Sequence, residues 1–239
     1  MRPSRSRTPF TAAILTAHLS SSALPPISSR QVREVDALAS ERFGIGVDWL
    51  MEAAGWQVAR FVDQRATVVC GVGNNAGDGL AAARHLHRWG RLAGVCCIDA
   101  DRLGGPAAQE RDALRNLGVD LSADLTFERA EVIVDAIFGT GLSRAPEGRF
   151  AEWIEAINAS GKRVIAVDVP SGLDADSGVA YAPIVQPNMT IALGLPKPGL
   201  DQFGGKVVVV DIGVPFEAYA AVGVDVPHDL FDGGDVVRL

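Results

Sequence analysis

The sequence predicts a doubly wound α/β domain: a mainly parallel sheet with helices on both faces, three layers deep. Three observations carry this expectation. From residue 67 onward, short β-branched runs alternate with helical stretches. Several runs, such as Val132-Ile-Val-Asp-Ala-Ile-Phe138, are apolar almost throughout, as strands covered on both faces must be. The first run also leads into a glycine-rich turn, Gly71-Val-Gly-Asn-Asn-Ala-Gly-Asp-Gly79, before the next helix. With 239 residues and 48% hydrophobic content, the chain can bury the core of one such domain.

Taken in order, Ser28 and Ser29 suit caps for a helix from about Arg30 to Phe43, where Val32, Val35, Leu38 and Ala39 recur at helical spacing. Gly44 and Gly46 break the chain before a second helix, about Val47 to Gln64, with Leu50, Met51, Ala54, Val58 and Phe61 on one side. Gly55 in that helix marks a close-packing point. Strands are expected at Thr67–Cys70, Leu92–Ile98, Val132–Phe138, Val164–Val169, Met189–Leu193 and Lys206–Ile212. Helices are expected at about Gly79–Trp89, Pro106–Leu117 and Arg149–Ala159, the last with Phe150, Trp153, Ile154 and Ile157 as its buried stripe. After Pro215 the chain reads as irregular, with Asp232-Gly-Gly-Asp235 as loop. There is no internal repeat and no interdomain linker, so residues 28–239 read as one domain.

Residues 1–27 stand apart. No acidic residue occurs from Met1 to Arg33, while Arg2, Arg5, Arg7 and Ser20-Ser21-Ser22 do. This composition reads as a disordered extension or an organellar transit peptide, the mature domain otherwise being cytoplasmic. No apolar run approaches the roughly 20 residues of a membrane-spanning helix. The net charge of −7 argues against nucleic acid and anionic membranes as partners, because both require clustered cations, and leaves a small molecule. Cys70, Cys96 and Cys97 lie inside apolar runs, against a disulfide framework or a thiolate metal site. His85 and His87 would point about 200° apart on a helix, against a histidine metal site.

In an open α/β sheet, ligands collect at the carboxyl ends of the strands, where helix N-termini also direct unpaired N–H groups. The turn after Cys70 contains Gly71-x-Gly73-x-x-Ala76, a phosphate-binding pattern in which glycine lets the backbone approach the anion closely. A dehydrogenase would add an acid for the ribose at the next strand end, where Asp99 and Asp101 stand. Yet no Tyr-x-x-x-Lys occurs, and Asn74, Asn75 and Asp78 are more polar side chains than a plain pyrophosphate turn needs. Asp135 sits inside an apolar strand and Asp168 at the end of the next, each a carboxylate that must find donors or a cation. Asp174 and Asp176 read as turn or helix caps. If Asn75, Asp135 and Ser171 converge, their all-oxygen set suits a hard cation, and one carboxylate favours a monovalent one.

These residues fall into five ordered blocks: Leu50-Met-Glu-Ala-Ala-Gly55; Gly73-Asn-Asn-Ala-Gly-Asp-Gly-Leu80 with Ala83-Arg-His-Leu86; Val134-Asp-Ala-Ile-Phe-Gly-Thr-Gly-Leu142; Asp168-Val-Pro-Ser-Gly-Leu-Asp174; and Leu195-Pro-Lys-Pro-Gly199 followed by Asp211-Ile-Gly-Val-Pro215. In order and spacing they resemble the YjeF N-terminal domain family, the NAD(P)H-hydrate epimerases, over about Ser28 to Pro215. The resemblance implies a Rossmann-like fold and interconversion of the R and S forms of hydrated NADH and NADPH (NADHX and NADPHX). It implies that Asn74, Asn75, Ala76, Gly77 and Asp78, then Gly139, Thr140, Gly141, Leu142, Ser143, Arg144 and Ala145, contact this substrate with Asp168 beside them. It further implies potassium on Asn75, Asp135 and Ser171, and a homodimer.

Asp168 suits a proton shuttle, since losing or regaining the C6 hydroxyl needs an acid or base within hydrogen-bond reach. The chain departs from the commonest family wording at Ala53 and Ala76, the latter adding a methyl to the expected phosphate-facing turn. Lys197 reads either as a group for substrate charge or as a solvated turn lysine. Relatives often continue into an ADP- or ATP-dependent dehydratase. The end, Leu230 to Leu239, reads as the start of a linker towards one, so the expectation is either a stand-alone epimerase or one half of a split pair whose dehydratase is a separate chain. The alternatives are a dehydrogenase using NAD(P) and a non-catalytic nucleotide-binding scaffold.

Overall fold

The computed structural model describes residues 24–239 and the backbone of residues 16–18. Its elements, in order, are β1 (Thr16–His18), α1 (Ser29–Phe43), α2 (Val47–Arg60), β2 (Ala66–Cys70), α3 (Asn74–Arg88), β3 (Leu92–Cys97), α4 (Gly105–Asn116), β4 (Leu121–Ser122), β5 (Val132–Ala136), α5 (Arg149–Ala159), β6 (Arg163–Val167), β7 (Met189–Leu193), α6 (Pro198–Phe203), β8 (Val207–Val210), α7 (Phe216–Ala221) and β9 (Val236–Arg238). The strands form one sheet in the order β1-β9-β8-β7-β6-β5-β2-β3-β4. Neighbours are parallel except β8 and β9. β2 lies between β3 and β5, so the winding reverses beside it, and the crevice beyond the ends of β2 and β5 is where such sheets bind ligands.

Side-chain alternation assigns the two faces. Val68, Cys70, Val134 and Ala136 point into the core beneath α3, whereas Val69 and Ile133 meet Trp153, Ile154 and Ile157 of α5. α3 is buried along most of its length, pressed between the sheet and α2. Two glycines allow that closeness. A methyl on Gly79 would lie 2.5 Å from the Ala136 side chain, and one on Gly55 would lie 2.3 Å from Ala81. α1 is fixed at its start by a reciprocal Ser28–Gln31 capping box and ends at Gly44 in the left-handed conformation (φ 68°).

The structure corrects three expectations. α3 begins at Asn74 rather than near Gly79, so six of the nine residues of the supposed turn are helix. Tertiary packing outweighs the weak helical preference of Asn, Gly and Asp there. The tail is not irregular throughout: it forms α7 and then β9, whose Val236 and Val237 are fully buried beside β8, with the expected loop Asp232-Gly-Gly-Asp235 between them. Val236–Arg238, expected as irregular chain, thus adds an antiparallel strand to the sheet. Leu24 and Ile27, assigned to the extension, are buried in the core, with the Ile27 N–H bonded to the Pro196 carbonyl at 2.9 Å. The rest of the expectation for residues 1–27 lies outside the described residues, save the strand backbone at Thr16–His18.

Gly55→Ala should force α2 off α3 and cost about 1–3 kcal/mol of unfolding free energy. Urea denaturation of the two proteins measures the difference; equal midpoints would show that the helices have slack.

Candidate functional site at the strand ends

β2 delivers the chain to Gly71, where a side chain would strike the Ile137 carbonyl oxygen at 2.1 Å. Glycine here permits two backbones to touch, the turn after β2 and the turn after β5. α3 then starts on Gly73 with no side-chain cap, leaving N–H groups of its first turn facing the crevice. Asn74 and Asn75 follow. Asn75 is buried, yet neither its Oδ1 nor its Nδ2 has a partner. A methyl on Gly139 would press against the Asn75 side chain, 3.1 Å from its Cβ. Gly139 is thus the residue that makes room for Asn75.

Asp135 closes the base of this region. Buried in β5, its Oδ1 accepts from the Ser171 hydroxyl at 2.6 Å and the Ile137 N–H at 3.2 Å, and its Oδ2 accepts from the Ser171 N–H at 2.9 Å. The Ser171 oxygen in turn accepts from the Phe138 N–H at 2.9 Å. Burial raises the Asp135 carboxyl to about 6 against the pull of these donors. No cationic side chain among the described residues pairs with it. A buried carboxylate without a cationic partner, bonded to a serine, and an unpartnered amide against the Gly139 turn are oxygen donors of the kind that suits a monovalent cation.

Asp168 follows β6 directly and is, among the described residues, the one non-glycine residue with positive φ, 67°. Its neighbours Val167 and Val169 close a three-residue turn, Val169 N–H to Val167 carbonyl at 2.8 Å, a tight and strained form. The end of β7 repeats it, Leu195 N–H to Leu193 carbonyl at 2.9 Å with Gly194 at φ 71°. Lys197 locks the two together. Its ammonium, 2% exposed, donates to Asp168 Oδ1, to the Leu193 carbonyl at 2.8 Å and to the Leu195 carbonyl at 3.0 Å. Those three bonds use every proton it has. Lys197 is therefore neither a solvated turn lysine nor a free partner for substrate charge. The Leu193 N–H also reaches Asp168 Oδ1, at 3.2 Å, so Oδ2 is left for the cavity.

Two adjoining cavities occupy the crevice. The inner one, about 160 Å³, is lined by Asp36, Leu50, Met51, Asp78, Asp168 and Lys197 among others. The outer one, about 360 Å³, runs along Gly73 and the turn from Ile137 to Leu142. Arg33, Asn74, Asn75, Gly139 and Thr140 line both, making one continuous cleft. Asp78 is pushed well above the usual carboxylate range by burial, with Asp168 and Asp36 adding to the rise.

Of the expected contacts, Asn74, Asn75, Asp78, Gly139, Thr140, Gly141, Leu142 and Asp168 line this cleft. Ala76 does not: it is buried in the core, so its methyl never faces a phosphate. Gly77 packs against Met51 and Ala107. Ser143, Arg144 and Ala145 are exposed beyond the cleft lining. Asp99 and Asp101 also lie outside it, Asp101 paired with Arg115 at 3.0 Å, so no ribose acid of the dehydrogenase kind serves this cleft. Asp174 and Asp176 are the expected caps, the first accepting from the Asp176 and Ser177 N–H groups and the second from the Ser29 N–H. Sequence inspection missed Arg33 and Asp36, which sit on the polar face of an ordinary amphipathic helix. Only the path of α1 over the cleft reveals them.

The chain matches the sequence model of the family described as YjeF-related protein N-terminus over residues 47–199. It is 35% identical to an NAD(P)H-hydrate epimerase of Dehalogenimonas lykanthroporepellens, covering 91% of this chain and 94% of that one. It is 38% identical to an NAD(P)H-hydrate epimerase of Pirellula staleyi, over 78% of this chain and 91% of that one. A bifunctional NAD(P)H-hydrate repair enzyme of Thermofilum pendens is 39% identical over 77% of this chain, which spans only 39% of that enzyme's length. Among solved structures, yeast ynu0 (YNL200c) superposes with a TM-score of 0.74 at 26% identity, covering 90% of this chain and all of that one.

Lys197→Met should destabilise the fold by about 3–5 kcal/mol, because it strands Asp168 and two carbonyls that the ammonium holds. Chemical denaturation at neutral pH reads this out. A loss below about 1 kcal/mol, the range of exposed pairs, would mean that the lysine is not buried as described.

Proposed function

The chain belongs to the YjeF-related protein N-terminus family, and on that premise we propose that it interconverts the R and S epimers of hydrated NADH and NADPH. The relatives that it matches over nearly their whole length carry the name NAD(P)H-hydrate epimerase. The observation that carries the proposal is Asp168, held by Lys197 and the Leu193 N–H in the wall of a cleft that continues along the glycine turns. A dinucleotide with its phosphates over the α3 N-terminus and the Gly139–Leu142 turn would set its hydrated ring in the inner cavity.

Inversion at C6 follows from acid–base chemistry. Once protonated, the hydroxyl leaves as water while the N1 lone pair forms N1=C6, and water adds to the other face. Asp168 exchanges the proton. Epimerisation changes no oxidation state, because the hydrated dinucleotide is itself the substrate. Arg33, at the mouth shared by both cavities, offers the phosphates a cation in an otherwise acidic chain. Of the remaining expected contacts, Ser143, Arg144 and Ala145 would meet only the outer end of the ligand.

Asn75, Asp135 and Ser171 would hold potassium. Bound there, the ion supplies countercharge to Asp135 and stiffens the turn on which the substrate lies. The S epimer would pass to a separate ADP- or ATP-dependent dehydratase; in the longer relatives the printed name covers a bifunctional repair enzyme. The protein would work as a homodimer, and its three buried free thiols suit a reducing cytoplasm.

Chromatography of mixed R and S hydrates should show equilibration well above the spontaneous rate, and faster with potassium than with sodium. No acceleration in either salt would refute the proposal. Asp168→Asn should keep ligand binding while slowing epimerisation by about 100-fold or more. Unchanged turnover would remove Asp168 from the role.

A further inference from the structure

Inversion needs protons handled on two faces of one ring: hydroxyl departs from one and water arrives at the other. Asp168 enters the cavity from the end of β6 alone. A second carboxyl, Asp36, lines the same cavity from α1. α1 is held over the crevice by its capping box, by the Ser29 N–H bond to Asp176 at 2.6 Å and by buried Val35 and Ala39. Asp36 is half-buried, and among the described residues no N–H or O–H donates to it. A carboxylate that has lost water without gaining a donor is waiting for a proton or a ligand.

We propose that Asp36 is a second catalytic acid–base residue, serving the ring face opposite to that served by Asp168. This rests on the epimerase reading above. Asp36 gives its proton to the C6 hydroxyl as the C6–O bond breaks, water leaves, and the N1 lone pair becomes the N1=C6 bond. Water then bonds to C6 on the other face, the N1=C6 pair returns to nitrogen, and the Asp168 carboxylate takes the surplus proton. The reverse reaction exchanges the roles, and between turnovers solvent returns the proton from Asp168 to Asp36.

The surroundings divide the two roles. Burial raises the Asp36 carboxyl to about 6, with Lys197 pulling it back and Asp168 pushing it up. Asp168 instead holds the lysine ammonium directly. The other ionisable groups facing Asp36 are Arg33 on its own helix, Asp78 on α3 and Tyr219 on α7, the last two both raised by burial. The active pair carries one proton, so kcat/KM should fall tenfold per pH unit above about 6 as Asp36 ionises.

The test follows hydrate equilibration by the full chain from pH 5 to 8.5, corrected for the spontaneous rate, alongside calorimetric binding of NADP. Asp36→Asn should lose about 100-fold or more in rate and lose the limb near pH 6, while binding NADP within twofold of the parent. Asp36→Glu should restore part of the rate together with a limb. Wild-type rate or an unchanged limb in Asp36→Asn would overturn the assignment, and so would a loss of NADP binding that accounts for the loss of rate. A parent chain with no acceleration at all removes the epimerase reading and this assignment with it, whereas an active parent with an indifferent Asp36→Asn removes the assignment alone.

Discussion

A lysine ammonium enclosed at the carboxyl end of a parallel sheet must find an acceptor for each proton, and Lys197 finds them on two strands. One is the Asp168 carboxylate after β6, and two are carbonyls of the turn after β7. The pair fixes what the backbone would not choose. Asp168 sits at positive φ in a three-residue turn, a conformation that costs on the order of 1–3 kcal/mol and persists only where neighbours over-determine it. The same contact holds the carboxylate in the wall of the cleft. Strain, burial and function meet in one residue.

The rest of the site is built outward from there by close approach. Gly71 lets the turns after β2 and β5 touch, Gly139 makes room for Asn75, and Asp135 ties the β5 turn to Ser171 three residues beyond Asp168. These contacts turn the sheet's switch point into a cleft with one rigid floor. α1 and α2, which precede the main run of strands, form the other side with Asp36, Leu50 and Met51. Catalytic and packing requirements therefore fall on the same short turns, so substitutions there should affect stability and turnover together.

Much of this was legible in the chain. Burial on both faces makes β5 and β6 apolar, so Asp135 and Asp168 stand out against their surroundings, and the asparagines beside the glycine turn mark a site richer than a phosphate loop. The start of α3 was not legible, because Asn-Asn-Ala-Gly-Asp favours a turn locally and becomes helical only against α2, α4 and the sheet. Lys197 was misjudged for a related reason: flanked by prolines it resembles a surface turn, and its burial depends on a kink in another strand. Asp36 gave no signal, since a carboxylate is expected on the polar side of an amphipathic helix. β9 was hidden by its length, three residues that gain strand character only by pairing with β8.

What distinguishes this account from one in which the cleft merely binds a dinucleotide is the fate of a single oxygen atom. The protein should be incubated with the hydrated dinucleotide in ¹⁸O-enriched water and each separated epimer weighed by mass spectrometry. If inversion proceeds by loss and return of the C6 hydroxyl, heavy oxygen should enter the hydrate at least as fast as the epimers equilibrate, well ahead of the uncatalysed exchange. Epimers that equilibrate under the protein's action without taking up the label would contradict the mechanism.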